Sequence, residues 1–327
     1  MSQDSGKSKR PPGQNGAFTY GPVPSRRLGY SLGVDILPAK TCSFDCIYCQ
    51  LGKTSQKSVR RRHFFLRRQI LTEVKEALAR DQRIDHITFS GSGEPTLNME
   101  IGRLIRGIKK ITSVPVAVLT NSSLLTRKSV RRALLAADIV VPSLDAATAA
   151  AFRRVNRPLP SLKVEEVIRG LAAFRREFRG QVWLEVMLVK GMNDSRADIE
   201  ALRTAIARIG PDRVQLNTVV RPPAEPWAKP LSRAGLEKIR RRLGGKTEVI
   251  VPSGEKQPPQ PVENPKEAIL SMLARRPMTA AEIAECLGRS ERAIQPDLEA
   301  LLRWRRIIPR EHKGKVYYEP KKNNGRD

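Results

Sequence analysis

From residue 69 to residue 251 the chain alternates between two hydrophobic rhythms. Ile70, Leu71, Val74, Ala77 and Leu78 fall at the spacing of one helix face and predict a helix over 69–80. The run 84–89 then reads as a buried strand, and the helical rhythm returns at Ile101, Leu104, Ile105 and Ile108, a helix over 99–111. The exchange recurs with strands over 114–119, 139–144, 182–189 and 213–216, helices over 126–136, 164–178, 196–209 and 233–243, and a last strand over 247–251. A strand over 31–36 precedes them all, after a turn-rich stretch, 21–29, with two arginines. Strands alternating with helices of about 10–15 residues imply βα units around a parallel sheet. About six such units with right-handed crossovers make an α/β partial TIM barrel of the (βα)6 type. In such barrels the loops at the C-terminal strand ends carry the chemistry, because they vary without disturbing the core.

Beyond the barrel the rhythm stops. Prolines at 252, 258, 259, 261 and 265 interrupt a stretch without periodicity, so 252–265 reads as a Pro-rich linker. A second unit follows over 266–319, with a helix over 266–274 and a capping box (Thr279 to Glu282) opening a helix that ends at Gly288. Ser290 caps a third helix in which Pro296 is expected to give a kink or restart, and strands near 307–309 and 315–318 pair around Gly314. Three helices and a hairpin resemble a small winged-helix-like α+β domain. The basic residues Arg303, Arg305, Arg306, Arg310, Lys313 and Lys315 gather at its helix end and wing, while its third helix carries Glu291, Asp297 and Glu299. Nucleic-acid contact by the wing and a protein-docking or dimerising role both stay open. Residues 1–20 read as a disordered basic tail and 320–327 as a second tail, leaving 21–251 for the barrel.

Of the protein's 4 cysteines, three stand at Cys42, Cys46 and Cys49, a C-x3-C-x2-C spacing in the loop after the first strand. Soft thiolates so close together suit zinc or an iron–sulfur cluster. Zinc usually closes with a fourth protein ligand, and the next candidates, His63 and Cys286, are distant in sequence. Four cysteines used this way argue against a disulfide framework and for a reducing, cytoplasmic setting. No apolar run is long enough to span a bilayer, and the first residues lack a signal-peptide core.

The cysteine spacing, with Tyr48 before the third cysteine, resembles the signature of the radical S-adenosylmethionine (SAM) superfamily, and Ser92-Gly93-Glu94-Pro95 resembles its Gly-Glu-Pro motif. The stretches 21–29, 31–35, 42–52, 90–97 and 216–223 together look like one branch, grouped distantly with the enzymes that build the wyosine base of tRNA. The likeness covers roughly residues 20–252 and is specific for the branch rather than for a substrate. It implies a [4Fe–4S] cluster on Cys42, Cys46 and Cys49, with SAM as cofactor. Residues implied near SAM are Tyr48, Gly91, Ser92, Gly93, Glu94, Asn121, Ser143 and Asp145, with Glu94 on the methionyl ammonium. The implied chemistry is reductive cleavage to a 5′-deoxyadenosyl radical, with electrons from an external donor such as flavodoxin or ferredoxin. No catalytic side chain is singled out, and Lys190 stands out only by its strand-end position.

Charge bears on the partner. The net charge is +27, and residues 255–327 hold 15 Lys+Arg against 11 Asp+Glu, so nearly all of it belongs to residues 1–254, which include the barrel. The densest run, 57–68, follows the cysteine loop directly. Basic charge of this size favours polyanions, and an RNA substrate, tRNA above all, is the expectation. An iron–sulfur nucleic-acid-binding redox regulator, or an enzyme acting on a protein or small metabolite, is the alternative.

Overall fold

The computed structural model describes residues 17–80, 83–250 and 264–321. Most of the expected tails and linker lie outside the described residues. The chain opens with an antiparallel hairpin of β1 (Thr19–Ser25) and β2 (Gly29–Val34). The sequence reads 21–29 as turn; the structure makes most of it strand. Pro22 and Pro24 remove ladder donors and hide the alternation, yet an edge strand tolerates them because only one side is paired.

The short strands β3 (Thr41–Cys42) and β4 (Gln56–Lys57) then pair at the base of the cysteine loop. After them come α1 (Arg67–Leu78), β5 (His86–Phe89), α2 (Ile101–Ile111), β6 (Val116–Thr120), α3 (Lys128–Leu134) and β7 (Ile139–Pro142). The succession continues with α4 (Ala149–Asn156), α5 (Val164–Glu177), β8 (Gln181–Leu188), α6 (Arg196–Ile209), β9 (Arg213–Thr218), α7 (Arg233–Leu243) and β10 (Thr247–Val249). The sequence leaves α4 as loop, because its run of small alanines gives little periodicity; Thr148 caps it by accepting from Ala151 N at 3.3 Å.

The sheet order is β1-β2-β5-β6-β7-β8-β9-β10, parallel throughout except at β1. This is a partial barrel, open between β1 and β10. Strand alternation sorts its two faces. Val116, Val118, Val140, Leu184, Val186, Val214 and Leu216 face the helices and share one large core with Ile70, Leu104, Phe174 and Leu202. The opposite face puts Ala117, Leu119, Ile139, Val141 and Trp183 together with Leu28 as an apolar floor inside the barrel. Glu185 and Asn217, on that same inner face, give the chamber a polar layer.

The C-terminal unit consists of α8 (Pro265–Leu273), α9 (Ala280–Leu287), α10 (Glu291–Arg303) and the hairpin β11 (Ile307–His312) and β12 (Lys315–Pro320). Thr279 and Glu282 form the capping box of α9. α10 runs through Pro296 without interruption, because Ile294, Leu298 and Leu301 on either side are buried in the unit's core. Cys286 is buried in that core as a small apolar group.

This core also takes in Val23 of β1, with Tyr20 packed against it, so the unit covers the barrel's edge strand. It grips both open sides of the barrel. Arg275 Nε lies 3.3 Å from Asp35 Oδ2 after β2. After β9, Lys313 Nζ donates to Val219 O at 2.8 Å, Tyr317 Oη to Val220 O at 3.1 Å and Arg310 Nη2 to Pro223 O at 3.3 Å. Two basic side chains of the β11–β12 hairpin therefore dock the barrel.

Candidate active site

The cysteine loop is anchored by its apolar residues. Ile47, fully buried, donates N–H to Val155 O at 3.0 Å and accepts from Glu225 N at 2.9 Å. Phe44 meets Phe152 edge-on at 5.3 Å. At its base, Thr41 bridges to Gly93, where an added Cβ would stand 1.8 Å from Thr41 O. Only glycine allows that approach. The Gly-Glu turn and the cysteine loop are thus locked together before any ligand arrives.

Each of the three sulfurs receives a nitrogen donor. Asn121 Nδ2 lies 3.4 Å from Cys42 Sγ, Asn156 Nδ2 3.6 Å from Cys46 Sγ, and Lys40 Nζ 3.4 Å from Cys49 Sγ. Burial pushes the Cys42 thiol up to about 12 and the Cys46 thiol well above its usual value. Bare thiolates are disfavoured here, so the donors are suited to sulfurs whose charge a cationic group offsets. Among the described residues no three His, Cys, Asp or Glu side chains converge as around a single metal ion. A [4Fe–4S] cube spreads its thiolates more widely than one ion does. Three free, half-buried cysteines with donors to their sulfurs fit such a cluster.

Of the residues expected near SAM, Asn121 meets the Cys42 sulfur directly, and Tyr48 and Asp145 connect to the Cys46 sulfur through Asn156. Asn121 also donates to Ser43 Oγ at 2.8 Å. Asp145, buried, accepts from Tyr48 Oη, from Asn156 Nδ2 at 2.6 Å and from Met187 N at 2.9 Å. Burial raises its carboxyl to about 6 against those donors. Ser143 enters through its backbone, its carbonyl accepting from Ser122 Oγ at 2.8 Å. Gly91 sits at φ 135° against Asp35, and Ser92 gives its N–H and Oγ to Asp35 Oδ2 at 3.2 and 2.5 Å. Lys190 is exposed at the end of β8.

Glu94 has a more internal role than a ligand contact alone. Its Oε1 accepts from Thr96 N at 3.0 Å, Thr96 Oγ1 at 2.5 Å and Thr120 Oγ1 at 2.7 Å, and Oε2 from Asn121 N at 2.6 Å. It caps the 3-10 turn Pro95–Leu97 and joins it to the end of β6. Sequence reasoning missed Asn156, Lys40 and Asp35. Asn156 ends a helix hidden among alanines, 110 residues from the sulfur it serves, and no local pattern announces such a pairing. Asp35 carried one usable signal, an acid closing a strand just before the cysteines.

With the geometry in view, the comparison with known proteins decides the family: residues 36–202 match the profile described as the Radical SAM superfamily. The chain belongs to the radical SAM superfamily. A UPF0026 protein of Methanocaldococcus jannaschii is 32% identical over 308 residues, covering 92% of this chain and 95% of that protein. A protein named GTPase Obg from Brachyspira hyodysenteriae is 40% identical over 286 residues, 86% of this chain, and the chain spans 42% of that protein's length. A probable dual-specificity RNA methyltransferase RlmN of Thermotoga petrophila is 26% identical over 216 residues, covering 61% of this chain and 56% of that protein. Radical SAM enzymes use a [4Fe–4S] cluster and S-adenosylmethionine, and this chain is a radical SAM enzyme. Among the described residues no helix is long and apolar enough to cross a membrane.

Proposed function

We propose that Cys42, Cys46 and Cys49 hold a [4Fe–4S] cluster beside a SAM site built on Glu94, Asn121 and Asp145, and that the substrate is RNA. Held there and reduced, such a cluster would supply one electron for reductive cleavage of SAM to methionine and a 5′-deoxyadenosyl radical, the species that would take hydrogen from the substrate. Asn121, Asn156 and Lys40 favour the thiolates. Glu94 fixes the strand-end turn, and Asp145 holds Tyr48 in place. The observation that carries this reading is the donor at each sulfur. Anaerobically reconstituted protein given dithionite and SAM is expected to release 5′-deoxyadenosine, and Cys46→Ala to release none. Intact SAM after incubation with the reduced parent would overturn the reading. The electron donor proposed in the cell is a flavodoxin or ferredoxin.

The RNA part rests on charge and on the likeness to a protein named as an RNA methyltransferase. Arg60, Arg62 and Arg68 are exposed after the cysteine loop, and a surface groove nearby is lined by Arg103, Arg106 and Arg132. Arg61 is different: its Nε and Nη2 donate to Thr96 O at 2.9 Å and Asn98 O at 3.1 Å, so it braces the turn after Glu94. Changing Arg60, Arg62 and Arg68 together to Gln is therefore the clean test. Each lost phosphate contact is expected to flatten the slope of log tRNA affinity against log salt by roughly 0.7–0.9. An unchanged slope would make these arginines a solvated face and remove RNA from the proposal.

A further inference from the structure

Two arginine-bearing stretches singled out in the sequence, 21–29 and 216–223, have no part in the SAM site, yet they meet inside the barrel. Arg26 Nη1 donates to Asn217 Oδ1, 191 residues away, at 3.2 Å. Arg27 Nη1 lies 2.9 Å from Glu185 Oε1, and Asn217 Nδ2 donates to the same carboxylate oxygen at 3.1 Å. Arg221, 9% exposed, gives Nη2 to Glu282 of the C-terminal unit, and Arg276, between α8 and α9, lies close enough for its charge to act on both Arg221 and Arg26. Glu185 and Asn217 belong to the inner sheet face, above the apolar floor at Trp183.

The charges of this group do not balance. Its ion pairs among the described residues are Arg27–Glu185 and Arg221–Glu282, and none forms at Arg26 or Arg276. Arg221 Nε, Arg276 Nε and Arg276 Nη2 are buried donors without an oxygen acceptor, and Arg276 has only the Cys286 thiol against it. Burial, then Arg221 and Arg27, hold the Arg26 guanidinium down to about 10. Buried like charges and orphaned donors each carry a penalty of kilocalories, and native interiors rarely keep several together without a ligand to satisfy them.

We propose that these arginines form a seat for a phosphate group of the substrate. Four guanidiniums against two carboxylates leave positive charge for an anion to offset, and donors arriving from three separate segments suit the tetrahedral oxygens of phosphate better than a flat carboxylate. Because Arg276 and Glu282 come from the C-terminal unit, an occupied seat draws that unit onto the barrel. The proposal rests on reading the barrel interior as the substrate chamber of the radical reaction, but its test does not require that reaction.

The probe is inorganic phosphate, titrated into the full chain and compared with chloride at equal ionic strength. Phosphate is expected to raise the Tm of the parent where chloride does not. Arg276→Gln is expected to weaken phosphate binding about ten- to a hundredfold, the worth of one charge-assisted contact. Arg26→Gln, on the barrel side, is expected to do the same, and the melting curve in chloride reports whether each variant is folded. Displacement of phosphate by tRNA identifies an RNA phosphate as the natural ligand; displacement by a nucleoside monophosphate but not by tRNA identifies a small phosphomonoester. Either result supports the seat. Cys46→Ala, unable to cleave SAM, is expected to bind phosphate as the parent does, so failure of the cluster reading and failure of this site are told apart. Phosphate behaving like chloride in the parent, or unchanged affinity in both arginine variants, would overturn the proposal.

Discussion

Anaerobically reconstituted Cys46→Ala protein is expected to lose the brown iron–sulfur chromophore or hold it only transiently, and Cys42→Ala and Cys49→Ala to do the same. Three thiolates are the whole protein share of such a site, so losing one leaves an iron without its anchor and exposes the rest to solvent. Asn156 is then also left facing a methyl group where it had a sulfur acceptor. Cys286→Ala is the control. That thiol is buried in the separate core of the C-terminal unit, where it packs as a small apolar group. Its replacement is expected to keep full iron and sulfide content and to lower stability by only about 1 kcal/mol, a small cavity effect. Full iron and sulfide in Cys46→Ala would refute the assignment of the cluster.

Glu94→Ala is expected to damage the fold as well as the SAM site. The substitution leaves Thr96 N, Thr96 Oγ1, Thr120 Oγ1 and Asn121 N without an acceptor in a fully buried place. Orphaned buried donors cost roughly 1–3 kcal/mol each before relaxation, so a net loss of about 3–5 kcal/mol is expected. Against a typical total of about 5–15 kcal/mol that is a severe loss, readable as a lower urea midpoint at unchanged slope. Asn121 is displaced with it, and so the donor to Cys42 is weakened. In the fraction that folds, SAM affinity is expected to fall about ten- to a hundredfold. Glu94→Gln separates the two roles. It preserves volume and one acceptor, and is expected to recover most of the stability while still placing an amide donor against Asn121 N. Parent-like stability in Glu94→Ala would show that the surrounding donors find water or other partners.

The parallel barrel was legible because βα rhythm is local: each strand and helix announces itself within a dozen residues. The cysteines and the Gly-Glu turn were legible for the same reason, as short motifs with fixed spacing. What escaped were features whose cause lies far along the chain. β1 becomes a strand only because β2 and the C-terminal core cover it, and its prolines disguise it. The sulfur donors Lys40 and Asn156 belong to no motif, since their meaning is a contact made by folding. The motif resemblance puts Gly91 and Gly93 near SAM; in the structure Asp35 and the Thr41 carbonyl approach them closely as well, which no local pattern announced. The run of arginines at 60–62 looked uniform in sequence, yet burial separates bracing Arg61 from its exposed neighbours.

The grip of residues 264–321 on both open sides of the barrel bears on how the protein can be divided. Cutting near residue 250 takes away the partner of Asp35, the donors to the carbonyls at 219, 220 and 223, and the apolar cover over Tyr20 and Val23. A bare edge strand with an uncovered apolar face is a template for pairing with another chain. The barrel is therefore not a portable cassette: its modularity in sequence ends at a seam that is structural, and a shortened chain trades its own C-terminal unit for contact with its neighbours.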